Sequence, residues 1–167
     1  MKDVSAIVYT SNTGFTRRYA QMLSRAAALP AYDLAGSALP ADGAAVVYLG
    51  WLSAGMIKGL SKVRKRWSVR AVCAVGMSPE NDPKAVAERN RVECPLFCAQ
   101  GGYAPEKLKG MDKLAMSVVT KIIAKAQAKK VKTPEEAAQL AQFRTGCDFV
   151  DEANLAPLLA WLREEAP

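Results

Sequence analysis

Hydrophobic residues follow two alternating patterns along this chain. Short hydrophobic runs at 4–9, 44–49, 70–75 and 95–99 predict buried strands, and 31–34 is predicted as a short edge strand. Between these runs, hydrophobic residues recur every three or four positions, which predicts amphipathic helices. The predicted helices are 15–29, 56–67, 83–92, 112–129, one that starts at Thr133 and one that starts near Asn154.

Local residues mark the starts of several of these helices. Asp82 stands where a helix cap is expected, and Pro83 suits the first helical position. Thr133 followed by Pro134 gives the same pattern. Pro157 is tolerated only in a first turn, so the last helix should begin shortly before it.

The alternation of strands and helices predicts one α/β domain over all 167 residues. A parallel sheet needs crossover helices on both faces, and those crossovers are right-handed. We therefore expect three α/β/α layers around a five-stranded parallel sheet, without repeats or long linkers.

The chain is basic, with 23 Lys and Arg against 16 Asp and Glu, a formal charge of +7. Much of the excess lies in the stretches 58–70 and 121–132. These stretches are either solvated helix faces or surfaces for an anionic ligand, an acidic partner or an anionic membrane surface. No aromatic interleaving or nucleic-acid-reading motif accompanies them, so we expect no nucleic-acid partner.

Histidine is absent from the sequence, which excludes imidazole bases, Ser-His-Asp triads and histidine metal ligands. The four cysteines, Cys73, Cys94, Cys98 and Cys147, lack the spacing of a zinc site. Cys73 and Cys98 lie in hydrophobic runs and are expected to be buried thiols. We assign no metal site and no catalytic residue.

The chain is expected to work in the cytoplasm without a membrane span. It begins with a predicted strand rather than a signal sequence. Its longest hydrophobic run, 44–57, is interrupted by glycine and is shorter than the roughly 20 residues of a membrane helix. Peripheral contact with a membrane through the basic stretches stays open.

The first strand leads into a turn rich in hydroxyl groups and glycine. In open parallel sheets, ligands bind beyond the carboxyl ends of the strands, where the following helix also directs its unpaired N–H groups. The turn is therefore either an anion-binding loop or a simple helix cap from Asn12 or Thr13. Arg17 and Arg18 are unfavourable in a first helical turn unless a phosphate or a negatively charged partner offsets them.

This turn resembles the phosphate loop of flavodoxins, whose pattern is Ser/Thr-x-Thr-Gly-x-Thr. The resemblance implies a flavodoxin-like doubly wound fold and a bound flavin mononucleotide (FMN). Its phosphate ligands would be Ser11, Asn12, Thr13, Gly14, Phe15 and Thr16. Phe15 replaces the asparagine most common in the family, so it would contribute only its backbone amide.

The same resemblance implies two further flavin-binding loops. The second comprises Gly50, Trp51, Leu52, Ser53, Ala54 and Gly55. Trp51 would stack on the isoalloxazine ring, although it could equally pack the loop onto the basic helix. Gly50 and Gly55 would let a peptide turn over when the flavin changes redox state. The third loop, Gly76, Met77 and Ser78, lacks the Asp and Tyr typical of ordinary flavodoxins.

The order of the later segments resembles the flavodoxin-like protoporphyrinogen oxidases. The similar segments are the strand and its glycine exit at 96–103, the long basic helix at 113–129 and the terminal segment 143–161. This part of the resemblance is looser than the phosphate loop.

These features favour an FMN-binding electron-transfer protein that docks with an acidic redox partner. The first alternative is an FMN-dependent oxidoreductase of the protoporphyrinogen oxidase type, which uses a quinone or an anionic small molecule. An FMN-dependent NAD(P)H reductase is a third hypothesis, for which no nicotinamide site is evident. A domain that has lost its flavin and serves as an interaction module is the fourth.

Overall fold

The backbone follows the predicted alternation of strands and helices. The computed structural model describes residues 3–78, 81–107 and 146–164. The chain divides into two compact units, Met1–Gly101 with Phe149–Pro167, and Gly102–Asp148. The helices predicted at 112–129 and from Thr133, the basic stretch 121–132, Phe143 and Pro79 lie outside the described residues. The single domain stays a prediction.

The larger unit contains a sheet of six strands. They are β1 (Ala6–Thr10), β2 (Ala31–Asp33), β3 (Ala45–Ser53), β4 (Met56–Ile57), β5 (Ser68–Gly76) and β6 (Leu96–Gln100). Five of them run parallel in the order β2-β1-β3-β5-β6, and β4 pairs antiparallel with β3. Without β4, this is the doubly wound order 2-1-3-4-5 of flavodoxin-like folds. The predicted fold class is confirmed, with one short antiparallel strand added.

Helices cover both faces of this sheet. They are α1 (Phe15–Ala27), α2 (Leu60–Arg64), α3 (Pro83–Asn90) and α4 (Ala156–Arg163). Alternate residues of the central strands, including Val46 and Tyr48, pack against α2 and α3. Successive strand residues point to opposite faces, so Val47 and Leu49 face the side that α1 covers. On that side α4 packs against α1.

Several helix starts agree with the predictions from sequence. Asp82 caps α3 by accepting a hydrogen bond from the amide of Lys84 at 3.0 Å, and Pro83 is its first residue. Pro157 lies in the first turn of α4. A 3-10 turn, Glu152–Leu155, precedes α4.

The basic helix predicted at 56–67 is wrong in its first part. Residues Met56 and Ile57 form β4, and the helix is limited to Leu60–Arg64. Gly59, with a φ of 83°, separates the two elements. The predicted inward face is nevertheless correct, since every residue assigned to it is buried: Ile57, Leu60, Val63 and Trp67.

The smaller unit is described only at its two ends. Strand β7 (Gly102–Tyr103) pairs antiparallel with β8 (Cys147–Asp148), and a 3-10 turn spans Pro105–Lys107. Within the described part of the chain, no helix combines the length and hydrophobicity needed to cross a bilayer.

Candidate functional site

Strand register brings the three predicted loops to one edge of the sheet. Thr10 of β1 pairs with Gly50 of β3, and Gly50 pairs with Ala74 of β5. Ala74 in turn pairs with Cys98 of β6. The segments that follow β1, β3 and β5 therefore leave from neighbouring strands at the carboxyl edge, where ligands bind in open parallel sheets.

Ser11 organises the turn after β1. Its hydroxyl oxygen accepts hydrogen bonds from the amides of Gly14 at 3.2 Å and Arg17 at 3.3 Å. Gly14 is the cap residue of α1 and has a φ of 101°, a conformation that strongly favours glycine. The Ser11 hydroxyl thus bonds amides of this helix start, whose cap residue Gly14 has no side chain to do so.

Among the described residues, nothing crowds this helix start. A Cβ atom built on Gly14 would meet none of their atoms within 4 Å. The amides of Phe15 and Thr16 are among the first N–H groups of α1, which have no acceptor inside the helix. Neither amide donates to another residue in the part of the chain that the structure describes. Since the positive end of the helix dipole lies here as well, the turn suits a phosphate or another oxyanion.

The other residues of the turn differ in what they expose. Asn12 and Thr13 are half-buried, like Ser11. The side chains of Phe15 and Thr16 are buried, with 9% and 2% exposed. These two residues can therefore offer an anion their backbone amides more readily than their side chains.

Arg17 does not need a phosphate to balance its charge. Its guanidinium lies 3.1 Å from the carboxylate of Asp33, at the end of β2. Hydrogen bonds to Asp33 and then Tyr9 raise the pKa of Arg17. Asp33 is a negatively charged partner for Arg17, so Arg17 gives no independent support for a bound phosphate.

The second predicted loop is the end of a strand and a tight hairpin. Gly50 lies inside β3, paired on both sides, so it cannot turn over as we expected. A Cβ atom there would come within 2.6 Å of Ile57 and 2.9 Å of the Tyr48 ring. Gly50 is thus needed for close packing, not for flexibility. Leu52 and Ser53 pair with β4.

Trp51 lies on the face of the sheet that α1 covers. It follows Leu49 by two residues, and alternate strand residues share a face. Its side chain is half-buried, and the ammonium of Lys58 lies 5.7 Å from the ring centroid. The amide of Lys58 also donates to the Trp51 carbonyl at 3.0 Å. The start of α1 and the indole of Trp51 therefore share the same sheet face.

Ala54 and Gly55 form the hairpin turn, with φ values of 51° and 77°. Two positive φ values in a two-residue turn are typical of type I′, which matches the twist of the flanking strands. Buried Asn90 at the end of α3 donates to the Gly55 carbonyl at 2.9 Å and accepts from the Ile57 amide at 2.8 Å. A residue remote in the sequence therefore holds the turn.

The third predicted loop is also held by polar side chains. Gly76 is the last residue of β5, and its carbonyl accepts from the amide of Gly101 at 2.7 Å. Gln100 donates to the carbonyl of Met77 at 3.1 Å, and Asn81 donates to the carbonyl of Ser78 at 2.8 Å. Met77 is half-buried and Ser78 is exposed.

The titratable groups with the largest pKa shifts favour their neutral forms. Burial raises the pKa of Cys73 to about 12 and that of Cys98 to about 11, and it also raises the pKa of Tyr48. Tyr48 donates its phenol hydrogen to the Lys58 carbonyl, just after the hairpin. At ordinary pH the thiols of Cys73 and Cys98 and the phenol of Tyr48 are therefore neutral, and Tyr48 acts as a hydrogen-bond donor. They do not supply a general base.

Sequence reasoning missed the residues that hold the site from a distance. Asn90 and Val86 are the buried residues of α3, four positions apart on one face. A polar residue in such a hydrophobic position was a detectable sign of a buried hydrogen-bonding role. The residues around Asp33 and Gln100 show no comparable sign in the sequence of a hydrogen-bonding role.

Comparison with known proteins finds similar structures but no match by sequence. No protein-family model and no curated protein matches the sequence. The structure is similar to a flavodoxin, WrbA-like protein from Agrobacterium tumefaciens, with 16% identity and a TM-score of 0.41 over 59% of this chain and 83% of that chain. It is also similar to the crystal structure of a hypothetical protein, with 14% identity and a TM-score of 0.39 over 96% of this chain and 69% of that chain. We therefore base the fold class on strand order.

Proposed function

We propose that the protein binds FMN at the carboxyl edge of its sheet and transfers electrons through it. One observation supports this most: the start of α1, which no described residue crowds at Gly14, lies on the same sheet face as Trp51. A flavin nucleotide needs this combination, an anion site for its phosphate and an aromatic surface for its ring. When bound, FMN supplies the redox chemistry, and the protein supplies binding and orientation.

The phosphate would take the amides of Phe15 and Thr16 first. Those of Gly14 and Arg17 become available if the Ser11 hydroxyl rotates away and donates to the phosphate instead of accepting from the loop. Trp51 would contact the ring, with Gly55 and Met77 in the neighbouring segments. No side chain of the described site is assigned a proton-transfer role.

Calorimetry with FMN and riboflavin tests this arrangement. The two ligands share the ring and differ by the phosphate, so a phosphate loop should favour FMN by roughly 100-fold, the range of one or two charged hydrogen bonds. Equal affinities would contradict the loop assignment and leave ring binding intact. Absence of heat with either ligand would contradict flavin binding altogether and favour the interaction-module hypothesis.

The alternative is an FMN-dependent oxidoreductase of the quinone-linked protoporphyrinogen oxidase type. The exposed cation of Lys58 beside Trp51 favours it, because an anionic substrate could pair with that charge. Stepwise reduction of the FMN complex separates the two functions. Accumulation of one-electron-reduced flavin favours a carrier, whereas direct two-electron reduction favours the oxidoreductase.

The basic surface around α2 is the proposed docking side for an acidic redox partner. Lys58, Lys62 and Lys65 are exposed and have no ion pair with any described residue. Arg66 is paired with Asp42, so it contributes less net charge. Complementary potentials would steer the encounter of this side with a negative partner.

Small redox probes of opposite charge test this steering without a known partner. The reduced FMN complex should react faster with anionic ferricyanide when Lys62 and Lys65 are present, and added salt should slow the reaction. The reaction with cationic hexaammineruthenium(III) should respond to salt in the opposite direction. A double Lys62→Glu/Lys65→Glu variant should lose the effect, whereas two charge reversals at exposed residues of other helices, Arg25 of α1 and Arg163 of α4, serve as the matched control. Salt-independent rates in the unmodified protein would contradict the proposal.

A further inference from the structure

Asn90 is one of two buried polar residues among the described ones, and its carboxamide makes three hydrogen bonds. Its oxygen accepts from the Ile57 amide at 2.8 Å. Its nitrogen donates to the carbonyls of Gly55 at 2.9 Å and Val86 at 2.8 Å. Both N–H donors of the side chain are therefore used, and the residue is only 7% exposed.

The carboxamide contacts the hairpin as a neighbouring strand would. In a parallel sheet, a strand residue accepts from one residue of its neighbour and donates to another two positions away. Asn90 makes these two bonds to Ile57 and Gly55. The bond to Val86 ties the same side chain to the preceding turn of α3. The hairpin is thus fixed to a helix by one side chain.

The hairpin turn needs such an anchor. Ala54 has a φ of 51°, which is unfavourable for a residue with a Cβ atom. The side chain of Arg89 lies against Gly55, within 3.0 Å of the position where a Cβ atom would be. If the Gly55 peptide turned over, its carbonyl would leave Asn90 and the buried N–H group would lose its acceptor.

We propose that Asn90 is a positioning residue that locks the β3–β4 hairpin, and with it Trp51, in one conformation in every state of the site. The Gly55 carbonyl stays on Asn90 whether a ligand is absent, bound or reduced. The statement about bound and reduced states rests on the proposed FMN function, whereas the lock itself does not. In place of the redox-linked peptide turn that we expected at Gly50 or Gly55, the hairpin keeps the same conformation before and after a ligand binds.

Amide hydrogen exchange in the flavin-free protein tests the lock directly. We expect slow exchange at the Ile57 amide, and exchange at least 30-fold faster in Asn90→Ala. Asn90→Asp keeps an oxygen acceptor for Ile57, but it replaces the donor to Gly55 and Val86 by an oxygen that faces their carbonyls. Protection at Ile57 should therefore fall between that of the unmodified protein and that of Asn90→Ala. Glu88→Gln, an exposed change on the same helix, is the control and should change nothing. Unaltered exchange at Ile57 in Asn90→Ala would overturn the proposal.

The indole N–H resonances separate positioning from general destabilisation. The Trp67 indole donates to the carbonyls of Pro40 and Ala41, outside the hairpin, while its ring packs in the same hydrophobic core as Ile57, so it serves as an internal reference for the stability of that core. In Asn90→Asp, the Trp51 indole signal should broaden or double while the Trp67 signal stays unchanged. Equal changes in both signals would indicate a purely structural role and overturn the proposal.

Spectra of the FMN complex test the final part. The Ile57 amide should stay equally protected from hydrogen exchange when the bound flavin is reduced with dithionite. Loss of protection at Ile57 on reduction would overturn the lock and leave FMN binding intact. Failure to bind FMN would overturn the proposed function, while the exchange experiment on the flavin-free protein would still stand.

Discussion

The two binding segments at the carboxyl edge of the sheet are built in different ways. The turn Ser11–Gly14 is held by its own hydroxyl, which bonds amides three and six residues later. The hairpin at Ala54–Gly55 is held by Asn90, which lies 33 to 35 residues further along the chain. The first segment leaves two amides without an acceptor among the described residues, whereas the second has its Gly55 carbonyl and the Ile57 amide bonded to Asn90. We propose that the first segment accepts a ligand and that the second stays fixed beside it.

The largest expected effect concerns charge at the first segment. Gly14→Asp places a carboxylate beside the proposed phosphate site, and we expect FMN binding to weaken by roughly 100-fold or more. Gly14→Asn is the matched control, because asparagine has nearly the same size and the same backbone strain without the charge. Fluorescence titration with FMN measures both variants.

If both Gly14 variants bind FMN equally well, the phosphate does not lie at this turn. If both lose binding equally, backbone conformation rather than charge is the cause, and the anion site is not established.

The comparison also predicts that removing the Asn90 carboxamide lowers the free energy of unfolding more than removing the Ser11 hydroxyl. Asn90→Ala leaves a buried N–H group and carbonyl unsatisfied, so the free energy of unfolding should fall by about 2–4 kcal/mol. Ser11→Ala removes a local helix cap at a half-buried position, and the fall should be about 1 kcal/mol. Urea denaturation of both variants measures the difference. A greater loss from Ser11→Ala would reverse the comparison.

This contrast explains what could be predicted from the sequence. The turn, the Asp82 cap and the first-turn Pro157 depend on neighbours within a few residues, so their patterns are visible in the chain. The inward face of 57–67 was also visible, because burial follows hydrophobic spacing in either a strand or a helix. The hairpin was hidden, since Ala54 is a poor residue for a type I′ turn and its anchor is remote.

Trp51 offers a smaller and more specific test. If its ring stacks on the flavin, Trp51→Ala should weaken FMN binding by roughly two- to tenfold, corresponding to about 0.5–1.4 kcal/mol for an aromatic contact, and shift the visible flavin bands. Trp51→Phe should restore part of the affinity. Trp161→Phe is the control. Trp161 lies on α4 with its ring next to Phe97 of β6, so this change should leave the flavin spectrum unchanged. An unchanged spectrum in Trp51→Ala would exclude stacking.

The smallest expected effect is a gain of stability at the hairpin. Ala54→Asn creates the Asn-Gly pair that type I′ turns prefer, so the free energy of unfolding should rise by about 0.5–1 kcal/mol. Ala54→Val should lower it, because a β-branched residue is more strained at positive φ. Thermal unfolding followed by circular dichroism measures both changes. A loss of stability in Ala54→Asn would argue against the type I′ turn.

The central claim, that the turn after β1 holds the phosphate of FMN, is tested most directly by one visible absorption titration. Purified protein is titrated with FMN and compared with Gly14→Asp under the same conditions. We predict saturable binding with shifted flavin bands in the unmodified protein and free-flavin spectra in the variant. Absence of binding at micromolar FMN, or identical saturation of both proteins, would contradict the claim.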